Sequence, residues 1–200
     1  MLEGHIRDLH STGHITEAAT AAIEGYGPEL LGFLNAIVRN PSDADEVFAM
    51  TCLDLWNGIR DFRFECSFRT WAYSLARHAY ARYCRKDPRR RELPISHIPS
   101  LARLEARIRT STRPYLRTDI KDRIARLRDQ LAPEEQMLLV LRIDRDLSWG
   151  EVAQIMATSD GAGAGGFEID KVAAACRKRF ERTTTKLRRL AVEQGLLPET

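Results

Sequence analysis

The chain has 200 residues, 44% of them hydrophobic and 30% charged, which is enough apolar content for a buried core and too much for a wholly disordered chain. No apolar run reaches the roughly 18–20 residues of a membrane helix, and the first ten residues lack the apolar segment of a secretory signal. The four cysteines include no CxxC pair, so we expect a reduced, cytoplasmic protein with neither a structural zinc site nor a membrane association.

The net charge of +3 is distributed unevenly along the chain. Residues 1–65 and 129–170 each carry a net charge of −7, whereas residues 66–81, 82–128 and 171–200 carry +2, +10 and +5. Separate basic zones predict separate contacts with a polyanion such as nucleic acid, and the acidic zones could face a basic protein partner. The alternative is that all of these charges lie on ordinary solvated helix faces.

Apolar residues in the first half of the chain recur with the period of an amphipathic helix rather than that of a strand. The pattern predicts helices over residues 28–39 and 42–59, with Ser42 as the N-cap of the second. Residues 58–66 fit neither period and predict a loop, after which Ser67 caps a third helix. We therefore predict an all-α fold.

Composition divides the chain into two small helical domains. Residues 1–15 predict a flexible N-terminus, and residues 16–86 predict the first domain. Residues 87–118 contain four prolines among many arginines and predict a linker, with a short helix around residues 101–108 as an option. Residues 119–195 predict the second domain.

The second domain contains the clearest local signature in the chain. Ser148 and Glu151 have the spacing of a capping box at the start of a short helix. After a glycine-rich insertion at residues 157–167, a long helix is predicted from about Ile169, with basic residues opposite its apolar stripe. A short capped helix followed by a helix with a basic outer face is the plan of a helix-turn-helix DNA reader. The alternative is a bundle helix with a solvated basic face.

The first domain contains a second set of candidate nucleic-acid contacts. Phe62, Phe64 and Tyr73 fall off the apolar stripe of the third helix, so they could stack on unpaired bases. Phe68 and Trp71 lie on that stripe and are expected to pack in the core. Neighbouring arginines could neutralise phosphates, and the mixture suits single-stranded or opened DNA better than an intact duplex.

Residues 43–86 resemble region 2 of the bacterial extracytoplasmic-function (ECF) sigma factors, most specifically in Leu-Trp at residues 55–56 and Ser-Phe-Arg-Thr-Trp at residues 67–71. Residues 119–193 resemble region 4, the helix-turn-helix domain of the same family. Together the two resemblances extend over roughly residues 20–86 and 119–193, about 70% of the chain, in the family's domain order.

This resemblance implies an all-helical transcription initiation factor that binds core RNA polymerase and directs it to promoter DNA. Region 2 would contact the clamp helices of the β′ subunit and open the minus-ten element. Region 4 would read the minus-thirty-five element and contact the β flap, and the linker would follow the RNA exit path. An anti-sigma factor is a further partner that the family suggests, whereas we expect no cofactor, no metal and no enzyme activity.

The resemblance also assigns roles to individual residues. The candidates for core-polymerase binding are Asp45, Glu46, Leu53 and Trp56. Trp56 alternatively packs in the core. The loop before the third helix would capture a flipped promoter base, a step that costs a few kcal/mol and must be offset by stacking and hydrogen bonds. The candidate DNA-binding residues are Arg60, Phe62, Arg63, Phe64, Arg69, Arg77, Arg82, Arg85 and Lys86 in the first domain and Arg177, Lys178, Arg179, Arg182 and Lys186 in the second.

The sequence departs from the family pattern in both domains. Ala49 and Met50 stand where the core-binding helix usually carries Gln-Glu. His78 and Arg82 stand where an Asn and an Asp are usual. The insertion at residues 157–167 replaces the turn of a few residues that usually joins the two helices of region 4.

Two other function classes fit parts of the sequence. A stand-alone helix-turn-helix regulator would bind duplex DNA without polymerase, and as a dimer it would read two half-sites about one helical turn apart. An interaction module would bind a protein and tolerate the loss of Arg177, Lys178 and Arg182. The aromatic loop favours the sigma factor, since a duplex reader has no need to stack on open bases.

Two weaker signals point to no site. His5, His10 and His14 have no further ligand nearby, so a frayed terminus is predicted there rather than a metal site. The glycines of residues 161–166 follow no strand and complete no phosphate-binding loop, which predicts a flexible insertion.

Overall fold

The computed structural model describes residues 1–38, 40–85, 98–112, 126–157 and 166–197. These residues form helices and connecting turns without a strand among them, which confirms the predicted all-α fold. The helices are α1 (Leu2–Ser11), α2 (Ile15–Ile37), α3 (Pro41–Gly58), α4 (Phe68–Arg85), α5 (Pro99–Thr112), α6 (Pro133–Leu139), α7 (Trp149–Ala157) and α8 (Gly166–Glu193). A 3₁₀ turn (Ile59–Asp61) follows α3, and a π-helical turn (Val140–Asp144) extends α6. The chain divides into unit 1 (Met1–Leu116) and unit 2 (Arg117–Thr200).

The N-terminal residues form a packed helix, so the prediction of a flexible N-terminus over residues 1–15 is wrong. Ile6 of α1 is completely buried. Leu2 lies directly over Gly25 of α2, where a larger side chain would collide with it. Apolar residues at positions 2, 6 and 9 give α1 one face to bury, which is helical spacing even in so short a segment.

The core of unit 1 lies between α2, α3 and α4, which contact one another along their apolar faces. Asn40 caps α3, because its side-chain oxygen accepts a hydrogen bond from the Ser42 backbone N–H at 2.9 Å. Pro41 occupies the first turn, where an intrahelical N–H is not needed. The predicted cap at Ser42 is therefore wrong by two residues.

Residues 99–112 form α5, which packs against α2 and α3 within unit 1. The prediction of a linker over the whole of residues 87–118 is therefore wrong for this segment, whereas the short helix considered for it is present. The remainder of the predicted linker, residues 87–97 and 113–118, lies outside the described residues.

The docking of α5 follows from its apolar stripe. Leu101, Leu104 and Ile108 are all buried, because a spacing of three and four residues places them on one helix face. Ile108 lies over Gly27 of α2, where an added Cβ would come within 2.6 Å of the Ile108 Cδ1 atom. Glycine at this position therefore permits the close approach of α5 to α2.

Unit 2 contains the predicted short and long helices. The Ser148 backbone N–H donates to the Glu151 carboxylate at 2.7 Å, and the Glu151 N–H donates to Ser148 Oγ at 3.3 Å, which confirms the capping box. α7 packs along α8, and Trp149 meets Phe180 edge-on with ring centroids 5.4 Å apart. The two helices predicted for the DNA reader are thus present and packed.

The long helix α8 begins at Gly166, three residues before the start predicted at Ile169. The predicted insertion at residues 157–167 overlaps the ends of α7 and α8, and its residues 158–165 lie outside the described part of the chain. At its other end the helix is followed by Gly195 with φ of 66°, a left-handed conformation that glycine adopts without strain.

Candidate nucleic-acid interface

An aromatic cluster, formed by Phe62, Phe64, Phe68 and Trp71, lies where the loop after α3 meets the start of α4. Phe62 stacks on Trp71 with ring centroids 4.6 Å apart and meets Phe68 edge-on at 5.3 Å. Phe64 follows in the loop, with its ring 4.7 Å from that of Phe62. Such ring pairs contribute about 0.5–1.5 kcal/mol each beyond the burial of their area. These ring pairs pack the loop against the first turn of α4.

Only one of the three aromatic candidates keeps a partly exposed ring. Phe62 is 8% exposed, because Trp71 lies across it. Tyr73 is completely buried and meets Phe33 edge-on at 5.2 Å. The prediction that Tyr73 lies off the core stripe is wrong, because α2 covers that face of α4. Phe64 is half-buried, so part of the residue remains in contact with solvent.

The first turn of α4 is capped twice. Ser67 Oγ accepts a hydrogen bond from the Thr70 backbone N–H at 3.0 Å, which confirms Ser67 as the predicted cap. Glu3 of α1 supplies the second cap, since its carboxylate oxygens accept the backbone N–H groups of Phe68 and Arg69 at 3.0 and 2.9 Å. Glu3 is not among the residues predicted from the sequence, because a contact across 65 residues leaves no local signal.

Phe64 has a left-handed backbone conformation, with φ of 57°, which is a strained geometry for a bulky residue. Two residues of α1 hold its ring. The guanidinium carbon of Arg7 lies 4.9 Å from the ring centre, and the His10 ring meets it edge-on at 5.2 Å. His10 Nε2 also donates a hydrogen bond to the Ile59 carbonyl at 3.0 Å, since a carbonyl can only accept. The frayed terminus predicted for this histidine is therefore wrong.

The basic candidates of unit 1 divide into paired and exposed side chains. Arg69 donates two hydrogen bonds to the Glu29 carboxylate of α2, at 2.9 and 3.0 Å. Arg82 donates to Asp54 of α3 at 2.6 Å. Both guanidinium groups therefore join α4 to its neighbouring helices. Of the others, Arg60, Arg63 and Arg85 are exposed, Arg77 is half-buried, and Lys86 lies outside the described residues.

The candidates for polymerase binding lie on α3 and differ in exposure. Glu46 is exposed, and Leu53 and Trp56 are half-buried. Asp45 is only 8% exposed, and Arg109 of α5 forms an ion pair with it at 3.3 Å. The accessible candidates for a partner are therefore Glu46, Leu53 and Trp56, which we call the open strip of α3.

A charge cluster with two buried carboxylates and a half-buried arginine joins α5 to α3. Arg109 lies 2.8 Å from Glu105, one turn earlier in α5, as well as close to Asp45. Burial raises the pKa of Glu105; Arg109 opposes this shift and Asp45 adds to it. One cation thus faces two carboxylates at this contact. Glu105 keeps its proton to a higher pH than an ordinary glutamate does.

The basic residues of α8 also form two groups. Arg179 pairs with Glu134 at 2.5 Å and Lys186 pairs with Glu135 at 3.0 Å, both acids lying in the first turn of α6. These two cations hold α8 against α6. The other candidates, which we call the basic strip of α8, are the exposed residues Arg177, Lys178 and Arg182.

The described ranges contain neither a cluster of potential metal ligands nor a membrane-spanning helix. No three His, Cys, Asp or Glu side chains converge there as metal ligands would. None of the helices in those ranges has the length and hydropathy needed to cross a bilayer. The cysteines are unbridged: Cys52 and Cys176 are buried, Cys66 is half-buried and Cys84 is exposed.

The part of the chain that carries the aromatic cluster is similar to known proteins. Residues 22–90 match the family model described as Sigma-70 region 2, a segment that contains α3 and α4. The chain is also similar to RNA polymerase sigma factor YlaC of Bacillus subtilis (strain 168), with 28% identity over 137 residues, or 67% of this chain and 76% of that protein. No solved structure matches the chain at comparable significance.

Proposed function

We propose that this chain, which is a sigma factor of the ECF type, binds core RNA polymerase and directs promoter recognition and opening in transcription initiation. One observation carries the proposal. The aromatic cluster forms a fixed loop at the start of α4, inside the segment that matches sigma-70 region 2. This loop combines a partly exposed ring with exposed arginines, which is the chemistry that an unpaired base and its phosphates require.

Within unit 1, Phe64 and its neighbours are the proposed site of strand capture. Stacking on an aromatic ring contributes about 1–3 kcal/mol per base, comparable to the cost of extruding one. Arg60 and Arg63 are exposed on either side of Phe62 in the sequence and can approach the phosphates of the captured strand. Phe62 serves the same step indirectly, because its ring packs against that of Phe64.

The open strip of α3 is the proposed contact with core polymerase. Glu46 supplies an exposed negative charge and Leu53 a partly exposed apolar side chain on the same helix. This combination suits a basic helical partner, and the clamp helices of the β′ subunit are the candidate that the family implies. Asp45 is assigned instead to the α3–α5 contact, because Arg109 is paired with it.

Unit 2 is the proposed reader of the upstream promoter element. α7 and α8 are packed as a pair, and the basic strip of α8 is free of the acidic residues of α6 that engage Arg179 and Lys186. Such a strip can enter the major groove and contact phosphates and base edges. A contact of unit 2 with the β flap, an anti-sigma partner and action in the cytoplasm complete the proposal.

Transcription by reconstituted polymerase tests the proposed function. Core polymerase free of sigma factors is mixed with the chain and with fragmented genomic DNA, and transcript start sites are mapped. We expect discrete transcripts that require the chain. Binding of the chain to duplex DNA without any transcript would instead support the stand-alone regulator, and the proposal would fail.

A further inference from the structure

Helix α1 lies outside the segment that matches sigma-70 region 2, which begins at residue 22, yet it contacts the aromatic loop and the start of α4. Resting on the proposed function, we propose that Glu3, Arg7 and His10 of α1 are positioning residues for promoter opening. They hold Phe64 and the first turn of α4 in the shape that receives an unpaired promoter base.

Glu3 carries the first part of the proposal. Its carboxylate accepts two backbone hydrogen bonds from the start of α4 and a third, at 2.9 Å, from the hydroxyl of Tyr26 in α2. Three donors from two helices fix one carboxylate, which sets where α4 begins relative to α2. The direction in which the preceding loop leaves α4 is thereby set as well.

Phe64 carries the second part. A left-handed backbone at a bulky residue persists only where surrounding contacts impose it. Those contacts come from Arg7 and His10 on α1 and from Phe62 within the loop. His10 additionally binds the Ile59 carbonyl, so it fixes the start of the loop as well as its tip.

The contacts favour a role for α1 in holding Phe64 in place rather than in covering it. With α1 in place Phe64 is half-buried rather than buried, so the contacts from α1 do not enclose the residue. α1 is itself firmly anchored, because Ile6 is completely buried and Leu2 lies against Gly25. A segment held in this way is suited to fix a loop and is poorly suited to move aside from it.

The test compares variants of α1 with matched controls on the same helix. Glu3→Ala and Glu3→Gln are paired with Asp8→Asn, an exposed acid, and His10→Ala is paired with His5→Ala, an exposed histidine. Each full-length protein is assembled with core polymerase on a promoter found by transcript mapping. Three quantities are measured: co-elution with core, affinity for the closed promoter, and the opening rate from 2-aminopurine fluorescence.

We expect Glu3→Ala and His10→Ala to bind core and closed promoter like the wild type and to open the promoter about five- to tenfold more slowly, the size of effect that loss of a cap produces. Glu3→Gln keeps an acceptor oxygen and should recover part of the rate. A merely structural role would lower core binding, closed-complex affinity and opening together.

Two results would overturn the inference. Opening rates in Glu3→Ala and His10→Ala equal to those of Asp8→Asn and His5→Ala would show that α1 does not position the loop. Faster opening in His10→Ala would show that α1 conceals Phe64. Failure of the proposed function is distinguishable, because the wild type and both controls would then also fail to open any promoter with core polymerase.

Discussion

The rings of Phe62 and Trp71 stack with centroids 4.6 Å apart and an interplanar angle of 24°. This pair joins the loop after α3 to the first turn of α4, and Trp71 also lies over Gly58 at the end of α3. Phe62 is thereby a core residue, while Phe64, two residues later, is only half-buried. Neighbouring aromatic residues of one loop thus have different roles, which mutations can separate.

Phe62→Ala should lower the free energy of unfolding of unit 1. Removing a buried phenylalanine ring leaves a cavity and costs about 3–5 kcal/mol, and here the stack with Trp71 is lost too. Urea unfolding followed by tryptophan fluorescence measures the loss. Phe64→Ala is the matched control and should cost less, because its ring is only half-buried. Equal losses in the two variants would show that Phe64 is a core residue as well.

Phe64→Ala should impair promoter opening and leave closed-complex binding near that of the wild type. The variant removes a stacking surface worth about 1–3 kcal/mol, which is needed only once a base is unpaired. Opening is followed by permanganate reactivity of unpaired thymines, and closed-complex affinity is measured by filter binding at low temperature. Phe64→Tyr, which retains the ring, should open normally. If Phe64→Ala lowers closed-complex affinity and promoter opening equally, the ring supports the fold rather than strand capture.

Lys178→Ala and Arg182→Ala should weaken binding of the upstream promoter element. A side chain that reads a base contributes about 1–3 kcal/mol and some sequence preference, whereas a phosphate contact lowers the salt dependence of binding. Titration of promoter fragments at several salt concentrations separates the two roles. Arg103→Ala is a suitable control, because Arg103 is exposed on α5 in unit 1 and belongs to none of the proposed contacts. Unchanged promoter use in both strip variants would show that α8 is not the reader.

Glu105 should make the stability of unit 1 decrease as pH rises. Burial raises the pKa of Glu105 above its usual value of 4.5, so the folded state holds this proton more tightly than the unfolded state does. Stability from this group is complete below the usual pKa and falls as pH rises towards the raised value. Unfolding free energies of the wild type and Glu105→Gln across that range test this. The unfolding free energy of Glu105→Gln should increase relative to that of the wild type as pH rises. A difference between the two proteins that stays constant with pH would contradict this prediction.

Local signals in the sequence predicted the features that short-range chemistry determines. Ser148 with Glu151 forms the predicted capping box, and Ser67 caps α4 as expected, because each bond spans three residues. The apolar stripes likewise predicted an all-α fold. The aromatic loop was predicted as a candidate site from residue types alone, and Phe64 keeps the accessibility that such a role requires.

Contacts between distant segments account for what the sequence did not predict. Arg69 is engaged by Glu29 across 40 residues and Arg82 by Asp54 across 28, so two expected DNA contacts join helices instead. Tyr73 is buried because α2 covers it, which the periodicity of α4 alone cannot reveal. The packing of α1 and α5 against the other helices was not predicted for the same reason, because the contacts of each short helix are with residues distant in the sequence.

The most direct test of the central claim is gel filtration of the purified chain with core RNA polymerase free of sigma factors. A sigma factor should co-elute with core as a one-to-one complex, and Leu53→Arg on the open strip of α3 should weaken that complex while leaving the free chain folded. Separate elution of the wild-type chain and core polymerase, with binding of the chain to duplex DNA retained, would contradict the assignment and identify a regulator that acts without polymerase.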